Sequence, residues 1–481
     1  MILVLNRLQR LSGSNSIFFL LFFFFSCSVP KKSVENSNVQ VVKSGKNLPA
    51  TVKTDTIKQP IDGKKTGPAK GSDPLESKQI QVDTVVWTDV SPSFPPISVK
   101  AKKNVIHSKG IELRDEYNIK LLIPLNSDGN IDPSSSRFVH FYAGVLKALE
   151  ELDEENIKLN ISVIDTEEGM FKVSEKLDEI LTEDVDMIIG PFERDDLKML
   201  AEECKNRAIP LVSPWQTSTK LTLENPYYIQ MKPSLKEHFL KLAESSVETF
   251  NPGEVVIIGK NNKETNSWIK YFQEAASANS KKKDFFSTYF VSSDSLNLGP
   301  TAFMRMFKNT KLKAVIIPNY SYNDEDFIYA CLRRLTAEKG NRQISVMGMP
   351  ILFDSDKIDF DFYNTLQMKV VMSDFVDENQ GKIREFRRDY LDLYGEIPNS
   401  DASKGYDLML YLGRNIWKYG KNFQNFLENE ATSYLQSTYD IRKSKAEDSN
   451  IMNDSEKFDY YENKHLDIIE FKGNKWLRKR Q

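Results

Sequence analysis

From Tyr117 onward, short aliphatic runs alternate with segments of helical spacing, and that alternation leaves few architectures open. Residues 119–124 (IKLLIP), 159–164 (LNISVI), 185–189 (VDMII) and 209–212 read as strands, because they are short, rich in β-branched residues and bounded by turn or polar positions. Between the first two, Phe138, Phe141, Tyr142, Val145, Leu149 and Leu152 recur at helical spacing, with Ser134, Ser135 and Ser136 as candidate N-caps. Residues 172–181 and 195–207 predict two more helices. A second cycle follows Pro233 and a helix over 237–249. Its strands lie at 254–258, 285–291, 314–317, 344–347 and 369–372, with helices such as 265–276 and 324–335 between them. Apolar strands separated by helices predict parallel sheets covered on both faces. Two such cycles over about 365 residues imply two lobes, since one core rarely grows that large.

The N-terminus has a different logic. Arg7 and Arg10 precede an unbroken apolar run at 17–25 (IFFLLFFFF), followed by Ser26 and Cys27, which is the order of an export signal. The run is too short to span a bilayer, which takes roughly 20 residues. A small residue before Cys27 resembles a bacterial lipobox, with Phe24 where an aliphatic residue is usual. That resemblance implies a signal peptide over 1–27, lipidation of Cys27 and stable anchoring by more than one acyl chain, palmitate among them. An ordinary signal peptide with an incidental cysteine is the other reading. Ser28-Val-Pro-Lys-Lys32 carries no acidic residue, which points to a periplasm-facing protein, expected at the outer membrane. Residues 28–116 are rich in Lys, Ser, Thr and Pro, with Trp87 and Phe94 as their only aromatics. Such a segment reads as a disordered tether that would span roughly 50 Å, with 82–87 (VDTVVW) as a stretch suited to docking.

Composition closes several routes. A formal net charge of -3 and a pI near 6.0 leave no electrostatic footprint for nucleic acid. The run Arg478-Lys479-Arg480 is too short for one and reads as a solvated tail. Cys204 and Cys331 sit in helix-like segments as two buried free thiols, although an oxidising compartment would permit a disulfide that sequence cannot fix. The four histidines, His107, His140, His238 and His465, form no HExxH or other metal spacing, and no GxSxG, GxGxxG or P-loop follows a predicted strand. Neither an enzyme nor a cofactor is expected. Asp195-Asp196 opens a helix, where the dipole accounts for both carboxylates.

An ordered set of short motifs then carries a resemblance. Phe141-Tyr-Ala-Gly-Val-Leu-Lys-Ala-Leu149, Asp165-Thr166, Ile188-Ile-Gly-Pro191 and Ile209-Pro-Leu-Val-Ser-Pro214 come first. Thr217-Ser218, Leu221-Thr222, Asn225-Pro-Tyr-Tyr228, Phe386–Tyr390, Tyr394-Gly395, Pro398 and Gly405-Tyr-Asp-Leu408 follow in order. From Tyr117 to its end the chain resembles the type I periplasmic binding proteins, in particular the leucine/isoleucine/valine receptor group that serves ABC transporters. It looks most like the Bacteroidota lipoproteins of that group, which often carry a LysM module, but residues 28–116 show no LysM-like pattern. The resemblance implies an α/β fold of two Rossmann-like lobes with parallel sheets joined by three crossovers. Lobe 1 would be 117–232 plus 375–430, and lobe 2 would be 233–374 plus 431–481.

It also implies a ligand site between the lobes, at the carboxyl ends of strands. The family holds an amino-acid carboxylate with Ser/Thr side chains and backbone N–H groups at helix N-termini. On lobe 1 the candidates are Gly190, Phe192 and Arg194 in one loop, and Ser213, Trp215, Gln216 and Thr217 in the next. Thr217 falls at the family's carboxylate-binding Thr. Arg194 stands where a Ser is usual, and could pair with an anion, bridge the cleft or simply be solvated. Trp215 could stack on a ligand or pack between lobes. On lobe 2 the candidates are Asn319, Tyr320, Gly348 and Met349. The family's Tyr-Gly pair after the first lobe-2 strand is replaced here by Lys260–Ser267. Two functions follow as expectations: a membrane-anchored receptor closing on an amino acid or similar small ligand, or a ligand-independent module that binds a protein partner in a cell-envelope assembly.

Overall fold

The computed structural model describes residues 113–126, 133–166, 172–260, 263–280, 285–297, 301–378, 380–429, 431–449 and 457–479. The expected signal peptide, Cys27 and residues 28–112 of the expected tether lie outside the described residues. All described residues belong to one unit, Val90–Gln481.

Ten strands follow one another in the order the aliphatic runs predict, with one addition. They are β1 (Tyr117–Ile123), β2 (Leu159–Asp165), β3 (Met187–Ile189), β4 (Leu211–Ser213), β5 (Tyr228–Gln230), β6 (Val255–Gly259), β7 (Phe286–Phe290), β8 (Ala314–Ile317), β9 (Ser345–Gly348) and β10 (Lys369–Met372). Six more close the chain: β11 (Thr432–Ser433), β12 (Thr438–Tyr439), β13 (Ile441–Ser444), β14 (Tyr460–Asn463), β15 (Asp467–Lys472) and β16 (Lys475–Arg478). Two seven-stranded sheets result, ordered β13-β14-β5-β4-β3-β1-β2 and β16-β15-β10-β9-β8-β6-β7, while β11 and β12 pair alone. Pairing is parallel throughout each sheet except at its C-terminal edge, where β13 runs antiparallel to β14, and β15 antiparallel to both β10 and β16. In each sheet the first strand lies between the second and third, so the winding reverses direction there, and both sheets have helices packed on them. This is the type I periplasmic binding protein fold.

The chain passes between the sheets three times: after β5, after β10 and between β14 and β15. The first two passages fall near the expected boundaries. The third does not. Residues 441–463, expected in lobe 2, add β13 and β14 to the first sheet through pairing of Tyr461 and Glu462 with Ile229 and Gln230. Only β15 and β16 join the second sheet from this part of the chain.

Two ends expected to be solvated are docked instead. Arg114, at the close of the expected tether, pairs at 2.6 Å with the buried carboxylate of Asp186. Arg478 pairs with Asp467 at 3.1 Å and donates to the Phe375 carbonyl, and Lys479 donates to Thr249 Oγ1. Cys204 and Cys331 are buried and free, one in each lobe, and burial pushes both thiols up.

One contact explains why two of the motifs belong together. Helices Pro133–Glu154 and Ser400–Tyr419 pack side by side, and each puts a glycine at the point of closest approach. A Cβ on Gly144 would lie 1.9 Å from the Ala402 carbonyl oxygen, and one on Gly405 would lie 2.0 Å from the Phe141 carbonyl oxygen. Both obstacles are helix backbone, which cannot rotate away as a side chain can. Replacing Gly405 by Ala is therefore expected to separate the helices and cost about 3 kcal/mol, read as a lower midpoint in urea unfolding.

Candidate functional site

The two sheets present the carboxyl ends of their strands to a shared cleft that contains a cavity of about 500 Å³. From lobe 1, the loop after β4 contributes Thr217, Ser218, Thr219 and Lys220. From lobe 2 come Tyr320 and Tyr322 after β8, Met349 and Pro350 after β9, and Trp268 and Tyr271 from helix Lys263–Ser280. A second cavity, of about 440 Å³, continues around Lys232, His238, Pro350 and Asp354 toward Asp374, Ser403 and Lys404.

The expected ligand-binding residues divide between the cavity wall and its scaffold. Thr217, Tyr320 and Met349 line the larger cavity. Trp215 instead turns into lobe 1, where its ring meets those of Phe138, Phe141 and Phe192 at 5.4, 5.0 and 5.7 Å. Arg137 lies over the rings of Phe138 and Phe192. Gln216 donates from Nε2 to the Phe192 carbonyl at 2.9 Å, which ties the loop after β4 to the loop after β3. Arg194 is exposed at the start of helix Arg194–Arg207 and outside the cavity lining. Ser213 is fully buried at the end of β4.

Gly190 has φ +90°, and a Cβ there would lie 2.2 Å from the Leu122 carbonyl oxygen, so the residue sits directly against β1 where the sheet reverses. Gly348 packs beneath Leu352. Asn319 is buried and donates to Asp324 at 2.6 Å. Asp324 in turn receives the Lys260 ammonium, which also lies 4.8 Å from the centre of the Phe327 ring. Lys260, the first residue of the segment that replaces the Tyr-Gly pair, is thus committed to lobe 2.

Sequence reasoning missed the floor of the cleft, which the crossovers build. Helix Leu235–Thr249 begins just after the first crossover. The Ser234 backbone N–H donates to the buried carboxylate of Glu462 at 2.8 Å, and the Lys464 ammonium bridges Glu462 and Glu237 at 2.6 and 2.7 Å. Lys464 is shifted upward: burial opposes its charge, but Glu462 and Glu237 outweigh it. On the second crossover, Asp374 pairs with Ser437 in an isolated bridge and accepts from Ser437 Oγ at 3.0 Å. Burial would raise Asp374, but Lys404 and Lys232, with the Ser437 and Ser373 hydroxyls, hold it below the ordinary carboxylate range. Asp407 accepts the backbone N–H groups of Leu435, Gln436 and Ser437 at 2.9–3.0 Å, fixing the turn that reaches Asp374. Burial nonetheless pushes Asp407 up to about 7, against those three donors and with the help of the Asp374 charge.

At the mouth, Glu447 joins the lobes. Its carboxylate lies 3.3 Å from Lys220 and 3.8 Å from Lys270, and accepts from the Tyr271 hydroxyl at 3.3 Å. No spacing signal marks these residues: Lys232, His238, Trp268, Asp354 and Glu447 are isolated in sequence and meet only once the crossovers form.

Residues 145–322 match the model of a family described as the receptor family ligand binding region. Comparison with curated proteins gives no significant match. Among solved structures, the chain is similar to a putative branched-chain amino acid ABC transporter protein from Rhodospirillum rubrum. Identity is 13%, 76% of this chain and 100% of that one are covered, and the TM-score is 0.56. A branched-chain amino acid ABC transporter periplasmic ligand-binding protein from Burkholderia xenovorans LB400 is similar at 10% identity, 76% and 94% coverage and TM-score 0.53. An ABC transporter substrate-binding protein from Desulfitobacterium hafniense follows at 14% identity, 76% and 100% coverage and TM-score 0.50. These likenesses agree with the fold already described.

His238 gives this junction a pH signature. It is buried, its Nδ1 lies 2.9 Å from the Ser234 carbonyl, and burial lowers it from 6.5 to about 4, with the Lys232 charge adding to the effect. Between those two pH values the unfolded chain binds the proton and the folded chain does not. Stability contributed by neutral His238 is therefore present above about 6.5 and lost as pH falls toward 4, by up to about 1.4 kcal/mol per pH unit. Asp407, raised rather than lowered, contributes with the opposite sign over much of the same window. Urea unfolding of wild type and His238→Asn across pH 4 to 7 should give a difference curve that falls toward acid.

Proposed function

We propose that this chain is a lipid-anchored, periplasm-facing solute-binding protein whose lobes close on an amino acid or similar small molecule. The observation that carries this reading is the cavity of about 500 Å³ whose wall draws Thr217 from one lobe and Tyr320 and Met349 from the other. Ligand sites in open α/β sheets lie at these carboxyl ends, and the volume is within the range of small-molecule pockets. The export signal and Cys27 support placement in the cell envelope. A second reading, an envelope interaction module that takes no small ligand, draws on the diversion of Phe192 and Trp215 into lobe packing.

Thermal unfolding of the mature chain, with Cys27 replaced by Ser for solubility, separates the two. Candidate solutes are leucine, short peptides and cell-wall fragments. A ligand at 100 times its dissociation constant adds about 2.7 kcal/mol and should raise the midpoint by several degrees. Thr217→Ala is expected to shrink that shift. A folded protein with no shift across the panel would sink the solute-binding reading and favour the interaction module.

A further inference from the structure

The two walls of the larger cavity differ in chemistry. On lobe 2, Phe239 stacks between Trp268 and Tyr271, with centroid distances of 5.5 and 6.2 Å and interplanar angles of 29° and 15°. Tyr320 meets Trp268 edge-on at 5.5 Å. Tyr320 and Tyr322 are 39% and 63% exposed and Tyr271 is half-buried, so these three rings offer surface to the cavity, backed by the buried Trp268 and Phe239. Both an aliphatic side chain and a flat ring can cover such a surface, but aromatic pairs gain beyond the area they bury.

Lys232 supplies the polar counterpart. It lies on the first crossover and lines the larger cavity, the second cavity and the narrow pocket beneath them. Among the described residues no hydrogen bond or ion pair reaches its ammonium. Asp374 is already engaged by Lys404 at 3.8 Å and by Ser437. Asp354 lines both larger cavities, and burial raises its carboxyl toward the neutral form. Burial, with the charges of Lys404 and Arg137, lowers Lys232 against the pull of Asp374 and Asp354. A half-buried ammonium without a direct partner is costly, and an incoming anion would remove that cost. Neutral His238 lines both cavities beside it. If its Nδ1 donates to the Ser234 carbonyl, its Nε2 is left as an acceptor.

We propose that the cleft takes an organic anion bearing a flat ring, its carboxylate on Lys232 and its ring against Tyr271, Tyr320 and Tyr322. This rests on the solute-binding reading and names its substrate class. The charge inventory of the cavity agrees: Lys220, Lys232 and Lys236 face Asp354 and Glu447, and Glu447 is already bound to Lys220.

Isothermal titration of the mature Cys27→Ser chain with three probes tests it. Indole-3-acetate has the ring and the anion, tryptamine the ring and a cation, and 4-methylpentanoate the anion without a ring. Indole-3-acetate should bind at least about tenfold tighter than either of the others, the effect of one charge-assisted hydrogen bond or one well-buried ring. Lys232→Met should erase the preference over tryptamine, and Lys232→Arg should retain it. The unliganded thermal midpoint of each variant reports whether it folds. If Lys232→Met does not fold, the preference of the unaltered chain decides alone. Equal binding of tryptamine, or an unchanged preference in folded Lys232→Met, would overturn the proposal. If none of the three probes binds while leucine does, the ring-bearing anion is wrong and the solute-binding reading stands. If leucine, peptides and cell-wall fragments fail as well, both fall.

Discussion

The cleft exists because three separate chain segments meet between the lobes, and one buried carboxylate contacts two of them. Glu462 lies in β14, next to its last residue, and is almost fully buried. It accepts the Ser234 backbone N–H from the first crossover and the Lys464 ammonium from the third, while Lys464 also reaches Glu237 on the helix that opens lobe 2. A buried ion pair returns little net stability, because desolvating two charges consumes most of the attraction. Removing one partner is costly, since it strands the other charge. Such a pair acts less as glue than as a key, because the two crossovers can satisfy Glu462 in only one mutual arrangement. Asp407 plays the matching part for the second crossover, by ordering the turn that pairs Ser437 with Asp374. The direction each lobe presents to the cleft follows from these contacts.

How much of this could be read from the sequence depended on whether an element declares itself by its own burial. The runs that became β6, β8 and β10 have buried aliphatic residues on both faces, and such strands are visible without any partner in view. Ala314–Ile317 and Lys369–Met372 coincide with their predicted spans for that reason. The C-terminal strands are different. Tyr460, Tyr461, Glu462 and Asn463 are all buried, yet half of them are charged or amide residues whose burial depends on partners far away in sequence. A segment reading YYEN carries no periodicity that announces a buried strand. The assignment of residues 441–463 to the second lobe failed because nothing local distinguishes the two sheets they could have joined.

The candidate site divides along a similar line. Of the residues placed by their position after a strand, Phe192, Trp215, Gln216, Thr217, Asn319, Tyr320 and Met349 lie in the loops that follow one, while Ser213 and Gly348 end β4 and β9 and Arg194 opens a helix. Position could not say which way a side chain turns. Trp215 had three aromatic neighbours in lobe 1, Phe138, Phe141 and Phe192, and packing on them leaves it partly buried rather than open to an aqueous cleft. Lys232 had the opposite history. It follows a strand so short that sequence did not show it, and only the fold brings three cavities to this one residue.

These observations also bear on how the lobes would move. The interlobe contacts at the mouth are exposed: Glu447 and its lysine partners are each about half accessible, and ion pairs of that kind contribute roughly 0–1 kcal/mol. The contacts at the crossovers are buried and keyed. An opening motion would therefore sacrifice the weak set and keep the strong one, pivoting about Glu462 and Asp374. A ligand can bias such an equilibrium only through contacts it makes in one state and not the other. A solute that touched the Thr217 loop alone would bind open and closed forms equally and shift nothing. One that spans from the Thr217 loop to Tyr320, with Lys232 beneath it, gains its second wall only on closure. On the solute-binding reading, the division of the cavity between the lobes would make binding and closure one event.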